Sequence, residues 1–98
     1  MRTITRPRLY LSDSGPPPAP AATPGEPILL ITGWTISSAV FDPVLGRYTE
    51  RARVIAYDHR GSGRSSPWLG PLSMAMLAAD AARVIDDVEL ESAHVVGL

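Results

Sequence analysis

The chain contains no cysteine and no lysine, few aromatic residues and little net charge. Aromatic residues make up 6% of its 98 residues, all nine basic residues are arginine, and the formal charge at pH 7 is −1. Without cysteine there is no disulfide framework and no thiolate metal site. The near balance of charge gives no electrostatic reason to expect nucleic acid or an anionic membrane as partner. No apolar run approaches the roughly 18 residues of a membrane span, and no secretory apolar segment follows the N-terminal arginines. We therefore expect a cytoplasmic protein.

What the chain does contain is a buried-strand pattern around which the other elements can be arranged. Residues 28–34 run through four consecutive apolar side chains into Gly33 and Trp34. Such an unalternated run predicts a strand buried on both faces, as in a parallel sheet covered by helices. Pro27 and Gly33 leave too little room between them for a helix. Ligands bind outside the carboxyl ends of such strands, so this strand should end at a binding site.

Two helices and two more strands follow this first strand. Asp42 suits the N-cap and Pro43 the first position of a short helix that ends near Glu50. Ser73 suits the N-cap of a second helix over residues 74–88, and buried strands are predicted over residues 53–57 and 93–97. The apolar stripes expected against the core are Val40, Phe41, Val44, Leu45 and Tyr48 in the first helix, and Met74, Leu77, Ala78, Ala81, Val84, Ile85 and Val88 in the second. We expect Asp80, Arg83 and Asp87 to face away from it.

The N-terminal segment has a different composition. Residues 8–12 predict an edge strand of an N-terminal hairpin, and residues 14–27 hold six of the ten prolines, which favours an exposed loop. We therefore divide the chain into residues 1–26, an edge strand with a Pro-rich loop, and residues 27–98, a partial α/β domain. The order strand, helix, strand, helix, strand predicts parallel strands in a three-layer α/β fold.

The three predicted parallel strands should end at one edge of the sheet. The segments around Leu29, Ile55 and Val95 would then lie side by side and point the same way. Each leads into a glycine-containing exit, and these exits are Gly33 with Trp34, residues 58–61, and Gly97 with Leu98. One glycine would indicate only a tight turn, but three at one edge indicate a shared pocket.

These exits resemble the N-terminal part of the α/β-hydrolase family. In that family the first strand ends in a His-Gly-x turn, the second leads into an Asp-x-Arg-Gly-x-Gly-x-Ser turn, and the third ends in Gly-x-Ser-x-Gly, whose serine is the nucleophile. The matching residues here are Thr32, Gly33 and Trp34; Asp58, Arg60, Gly61, Gly63 and Ser65; and Gly97 with Leu98. Thr32 stands where the family usually has histidine.

The resemblance implies a serine hydrolase that forms an acyl-enzyme on an ester, lactone or related carbonyl substrate. It assigns the backbone N–H of Trp34, in the Gly33 turn, to the oxyanion hole, and a structural role to the Asp58–Ser65 turn. The nucleophile, the histidine and the acid would follow Leu98, so the 98-residue chain itself is expected to be inactive. No metal or organic cofactor is implied, and the turn sequences favour the haloperoxidase, enol-lactonase and esterase branch. The partner would be a small-molecule substrate, with homo-oligomerisation of the full-length protein left open.

Two histidines and two other functions need separate consideration. His59 beside Asp58 suggests a base, but adjacent residues cannot orient each other as a triad requires, and we expect a slightly exposed, structural His59. His94 is expected to be a core or edge residue.

The Gly61-Ser62-Gly63 segment resembles a nucleotide-binding loop, although no helix N-terminus follows it. A non-catalytic binding protein on the same fold is the other alternative.

The 98 residues are also expected to be a fragment of a longer gene product. Three parallel strands with one edge strand and two helices leave both sheet edges open. A domain of this size already buries only about 60–65% of its extended surface. We therefore expect that the chain alone does not fold to a stable monomer.

Overall fold

The computed structural model describes residues 8–17 and 26–97. Neither α-helix in these ranges is long and apolar enough to cross a membrane. Apart from a 3-10 helix over Ser38–Phe41, the described elements are strands β1 (Leu11–Asp13), β2 (Ile28–Ile31), β3 (Val54–Tyr57) and β4 (His94–Gly97), and helices α1 (Asp42–Thr49) and α2 (Met74–Asp87).

The four strands form one sheet in the order β1-β3-β2-β4. Strands β3 and β4 both pair with β2 in parallel, and Leu29 is in register with Ile55 on one side and with Val95 on the other. The prediction that these three segments lie side by side and point the same way is confirmed. Their carboxyl ends therefore meet at one edge of the sheet.

Strands β2 and β3 are buried because hydrophobic clusters cover both of their faces. On one face Leu29, Ile55 and Tyr57 pack with Val84 of α2. On the other face the cluster consists of Leu30, Phe41, Val54 and Ala56, with Leu45 of α1 packed against it. Successive strand residues point to opposite faces, so the unalternated apolar sequence matches this two-sided burial.

Helix α1 begins earlier and buries less than its sequence predicts. The predicted cap Asp42 is the first α-helical residue, and the cap position is Phe41, which makes no side-chain cap hydrogen bond. Ser37 caps the preceding 3-10 helix, and its hydroxyl accepts a hydrogen bond from the Ala39 amide at 3.2 Å. The prediction was wrong because a 3-10 turn precedes the α-helix and takes over its N-terminus. Of the predicted apolar stripe only Phe41 and Leu45 join the core, and these residues remain exposed: Val40, Val44 and Tyr48.

Helix α2 begins where the sequence predicts, but its polar side differs. The Ser73 hydroxyl accepts from the Met76 amide at 3.1 Å, which confirms Ser73 as the cap. Met74, expected in the core, is 80% exposed, whereas Asp80, expected to face away from it, is 2% exposed. Asp80 is buried because it has an arginine partner, described below.

Two predictions at the edges of the sheet were wrong. Strand β4 was predicted to be buried, but all four of its residues are exposed, because it pairs with β2 on one side only within the described chain. The N-terminal strand does not form a hairpin with its neighbour; β1 pairs antiparallel with β3, with Leu11 opposite Tyr57. Most of the Pro-rich segment, residues 18–25, lies outside the described residues, and the domain division at residue 27 stays a prediction.

The exposed β4 leads to a prediction about the isolated 98-residue chain. Val95 and Val96 are 58% and 44% exposed on an edge strand, and open apolar edges favour association between chains. We expect the isolated chain to show no cooperative urea unfolding as a monomer, measured by circular dichroism together with sedimentation velocity. A cooperative transition at monomeric mass in dilute solution would show that these four strands are stable alone.

Candidate active site

The loop that leaves β2 forms a tight turn over residues 33–36. The Ile36 amide donates to the Gly33 carbonyl at 3.2 Å, and Thr35, at the third position, has a left-handed φ of 71°. This is the pattern of a type II turn. Because the peptide bond is planar and trans, a Gly33 carbonyl that points into the turn directs the Trp34 N–H out of it. Among the described residues none accepts a hydrogen bond from that N–H.

This turn lies beside the ends of the two neighbouring strands. Ile31, at the end of β2, pairs with Tyr57 on one side and with Gly97 on the other. The structure thus brings together the Gly33 turn, the loop that begins at residue 58, and Gly97. Leu98, predicted to continue the nucleophile motif after Gly97, lies outside the described residues.

An apolar pocket of about 340 Å³ opens next to the turn. Trp34 forms part of its wall and is 44% exposed. The remaining lining residues come from the end of β2, the end of β3 and one face of α2: Ile31, Thr32, Gly33, Tyr57, His59, Met74, Leu77, Ala78 and Ala81. The Trp34 indole therefore forms part of the wall of an apolar pocket at the end of β2.

Thr32 and His59 form a buried contact behind the turn. His59 Nε2 lies 2.9 Å from the Thr32 carbonyl oxygen, and the two residues are 5% and 4% exposed. The expectation of a slightly exposed His59 was wrong, because the loop after β3 folds its ring inward against Tyr57 at 5.5 Å between centroids. His94, by contrast, is exposed at the start of the edge strand β4.

Asp58, directly after β3, holds two other segments through its carboxylate. One oxygen accepts from the Ser38 amide at 2.6 Å and the other from the Arg64 amide at 2.9 Å, and the residue is fully buried. Burial by itself raises the pKa of the Asp58 carboxyl, but the hydrogen bonds from the Arg64 and Ser38 amides, together with a side-chain hydrogen bond from Ser38 and the charge of Arg64, hold the pKa below its ordinary value. The carboxylate therefore joins the 3-10 helix to the loop after β3.

The glycines of this loop allow the chain to approach its own side chains closely. Gly63 has φ +51°, and a Cβ at that position would overlap the Asp58 carboxylate. Gly61 has φ +75°, and a Cβ there would lie 3.2 Å from the Cβ of Trp68. Gly63 therefore requires glycine for conformation and for space, and Gly61 requires it for its left-handed conformation.

Ser65 closes the loop and attaches the N-terminal strand to it. Its hydroxyl donates to the Asp58 carbonyl at 2.6 Å and accepts from the Tyr10 amide at 2.9 Å. The Asp58 amide in turn donates to the Tyr10 carbonyl at 3.0 Å. The segment around β1 is thus positioned by the same loop as the turn region.

Arg60 forms a buried ion pair that the sequence analysis missed. Its guanidinium donates two hydrogen bonds, at 2.8 and 2.7 Å, to the two carboxylate oxygens of Asp80, and it lies 4.7 Å from the centre of the Trp68 ring. A signal was available, since Asp80 is three residues after Leu77 and four before Val84, on the core-facing side of α2. The pair anchors the loop to α2.

A family model described as alpha/beta hydrolase fold matches residues 26–98. The chain belongs to this family. The three strand ends, the Gly33 turn and the Asp58–Ser65 loop are thus parts of an α/β-hydrolase sheet, and the predicted fold class is confirmed.

Proteins that are similar to this chain are considerably longer than the segment that matches it. The chain is 42% identical over 73 residues to the RutD protein of Azorhizobium caulinodans, a candidate carbamate hydrolase. The match covers 74% of this chain and 28% of that protein. The chain is also 42% identical over 77 residues to the rhodomycin D methylesterase DnrP of Streptomyces peucetius, covering 74% and 26%. A solved hydrolase from Pseudomonas aeruginosa superposes with a TM-score of 0.80 at 28% identity, covering 100% of this chain and 35% of that one. The chain therefore spans about a quarter to a third of the length of its relatives.

The loop of this α/β-hydrolase leaves few backbone amides for a phosphate. The Gly61 amide donates to Ser66, that of Ser62 to His59, and that of Ser65 to Ser62, while the Arg64 amide is bound by Asp58. A nucleotide-binding loop needs such amides directed at its ligand, so these contacts favour a structural role for the glycines. Within residues 8–17 and 26–97 there is also no cluster of three or more His, Cys, Asp or Glu side chains able to hold a metal ion.

The crowding at Gly63 leads to a matched pair of substitutions. Gly63→Ala should lower the free energy of unfolding by at least about 2 kcal/mol, because it adds both a left-handed alanine and an overlap with a fixed carboxylate. Gly46→Ala, inside α1 with nothing within 4 Å of the added Cβ, should instead raise it by about 0.5–1 kcal/mol. Both changes in the free energy of unfolding can be measured by urea unfolding of the full-length protein. Equal effects would contradict the role of Gly63.

The low pKa of Asp58 predicts a pH dependence of stability. Because the folded-state pKa lies below the unfolded-state value, the carboxylate contributes stability above the unfolded pKa of about 4, and this contribution is lost as pH falls through the folded pKa. In urea titrations, we expect the free energy of unfolding of Asp58→Asn to fall less between about pH 5 and about pH 2 than that of the original protein.

Asp13 is the control for this titration. Its hydrogen bond to the partly exposed Arg53 also lowers its pKa, so Asp13→Asn removes a second contribution from the same pH range. If the pH dependence of the free energy of unfolding changes in the Asp13 variant but not in the Asp58 variant, the assignment of this dependence to Asp58 is contradicted.

The ion pair of Arg60 and Asp80 can be compared with that of Arg53 and Asp13. The first has side chains 9% and 3% exposed and the second 28% and 27%. Removing one partner of a buried pair costs about 3–5 kcal/mol, whereas an exposed pair contributes about 0–1 kcal/mol. Thermal and urea unfolding should therefore show a large loss for Asp80→Asn and a small one for Asp13→Asn. Similar losses would mean that burial does not strengthen the Arg60 pair.

Proposed function

We propose that this chain is the N-terminal part of a serine-type hydrolase that cleaves carbonyl substrates through an acyl-enzyme. The observation that carries the proposal is the parallel register of β2 with β4, because it pairs Ile31, three residues before Trp34, with Gly97 at the same edge of the sheet. In the family motif the nucleophilic serine follows two residues after that glycine. The rest of the triad would lie in the part of the protein that the longer relatives also possess.

The names of the relatives support a substrate whose carbonyl carbon carries a heteroatom leaving group. One is a candidate carbamate hydrolase and another a methylesterase. Carbamates, esters and lactones share a carbonyl bonded to a heteroatom leaving group, and a serine can attack each of them. We accordingly propose an ester, lactone or carbamate of a small molecule as substrate. A cytoplasmic location and the absence of a metal or organic cofactor remain our expectations.

In the proposed mechanism the chain described here supplies electrostatic stabilisation. A histidine oriented by an acid removes the serine proton, the serine attacks the carbonyl carbon, and the carbonyl oxygen becomes an oxyanion. That oxygen would accept hydrogen bonds from the Trp34 N–H and from the amide of the residue after the serine. Collapse expels the leaving group, and water then hydrolyses the acyl-enzyme. Because the Trp34 donor is main chain, its indole is free to shape the apolar pocket.

Trp34→Pro tests the main-chain donor. Proline removes the N–H, and it is favoured at the second position of a type II turn, so the turn can persist. Loss of one oxyanion donor should lower kcat by about 10²–10³ while KM changes little. Steady-state hydrolysis of p-nitrophenyl butyrate by the full-length hydrolase is the measurement.

Trp34→Phe is the matched control, since it retains the N–H and an aromatic ring. We expect its kcat to stay within about threefold of the original, because the oxyanion donor is unchanged. An unchanged kcat in a folded Trp34→Pro variant would overturn the oxyanion role. Independently, a fluorophosphonate should attach covalently to the serine of the nucleophile motif. A folded full-length protein that resists this label would refute acyl chemistry and favour a non-catalytic binding protein.

A further inference from the structure

His59 is a buried side chain beside the turn for which the proposed mechanism has no role. Its ring is 5% exposed and packs between Trp34, at 6.1 Å, and Tyr57, at 5.5 Å between ring centroids. Nε2 lies 2.9 Å from the Thr32 carbonyl oxygen. A carbonyl can only accept, so Nε2 carries the hydrogen in this contact. Among the described residues Nδ1 has no hydrogen-bond partner.

The contact fixes a peptide next to the one that carries the Trp34 N–H. The Thr32 carbonyl is held by His59, and the following carbonyl, that of Gly33, is held by the Ile36 amide. Gly33 joins these two peptides, and glycine restricts its φ and ψ angles less than any other residue. The Ser38–Asp58 hydrogen bond holds the chain after the turn, so without the His59 bond the φ and ψ angles of Gly33 would be fixed from that side only.

We propose that His59 is a positioning residue that fixes the direction of the Trp34 N–H through the Thr32 carbonyl. This inference rests on the proposed function, because it assigns His59 to the same oxyanion hole. His59 takes no part in proton transfer in this proposal. Its contribution is to hold a donor in place before the reaction, which is the form in which such donors are most effective.

Three substitutions separate the hydrogen bond from the packing of the ring. In His59→Gln the amide nitrogen can reach the position of Nε2 and donate to Thr32. In His59→Asn the amide nitrogen reaches only the position of Nδ1, and in His59→Phe the ring remains without a donor. We expect kcat of the Gln variant within about threefold of the original. The Asn and Phe variants should lose about 10- to 100-fold in kcat with little change in KM, since a small misplacement of a reacting group can cost about 10²-fold.

A double-mutant cycle tests whether His59 acts through the Trp34 N–H. Each His59 variant is combined with Trp34→Pro in the full-length hydrolase, and p-nitrophenyl butyrate hydrolysis is measured. If His59 only positions that N–H, His59→Asn should have no further effect on kcat once the N–H is gone. Thermal unfolding reports the structural part separately. A merely structural His59 would lower the Tm of the Asn variant and leave kcat of the folded enzyme unchanged.

The outcomes distinguish this inference from the proposed function. A loss of kcat in Trp34→Pro without any loss in His59→Asn and His59→Phe would overturn the positioning role and leave the oxyanion role intact. Effects that multiply in the double variants, or a Gln variant as slow as the Asn variant, would also overturn it. An unchanged kcat in Trp34→Pro would overturn both.

Discussion

The carboxylate of Asp58 is the contact on which the arrangement at the sheet edge depends. It sits at the end of the fully buried β3 and accepts amide hydrogen bonds from Ser38 on one side and Arg64 on the other. The first bond fixes the start of the helical segment that follows the Gly33 turn, and the second closes the loop after β3. A buried carboxylate is stable only when its oxygens accept hydrogen bonds. Once β3 is folded, the Asp58 carboxylate therefore holds both the Ser38 segment and the Arg64 segment in place.

The strand-end loop buries several polar side chains, and three of them bind groups within the loop or in neighbouring segments. Arg60 binds Asp80, Ser65 binds the Asp58 carbonyl, and His59 binds the Thr32 carbonyl. Such networks strengthen in a low dielectric and fix one arrangement when they are satisfied. The hydrophobic clusters on the two faces of the sheet supply burial, whereas these polar contacts determine where the turns point. Together, the hydrophobic and polar contacts fix both the position and the orientation of the turn that contains Trp34.

The parallel core could be predicted from the sequence because each of its strands is a local signal. The apolar runs at Leu29 and Ile55 indicate strands buried on two faces, the Ser73 cap indicates a helix start, and the glycine exits resemble one family closely. Those signals sufficed for the fold class, whereas the roles of the candidate site residues remain predictions.

Features that depend on distant partners could not be read in the same way. Asp80 has the sequence context of a surface charge, but Arg60 binds it from a loop twenty residues away. Asp42 has the sequence context of a cap, but a 3-10 helix whose Ser38 amide binds Asp58 precedes it, and Asp42 is the first residue of α1. Strand β4 has the composition of a buried strand, yet its exposure depends on what packs over it. The Nε2 contact of His59 likewise requires knowing that its loop folds back on β2.

The pairing of β1 with β3 also constrains how the chain can be made. Leu11 is opposite Tyr57, so β1 leaves the ribosome 46 residues before its partner. At synthesis rates of about 5–20 residues per second, β1 waits roughly 2–9 s without a strand to pair with. A three-residue strand offers only a short template for incorrect pairing during that interval, so its brevity protects the nascent chain until β3 emerges.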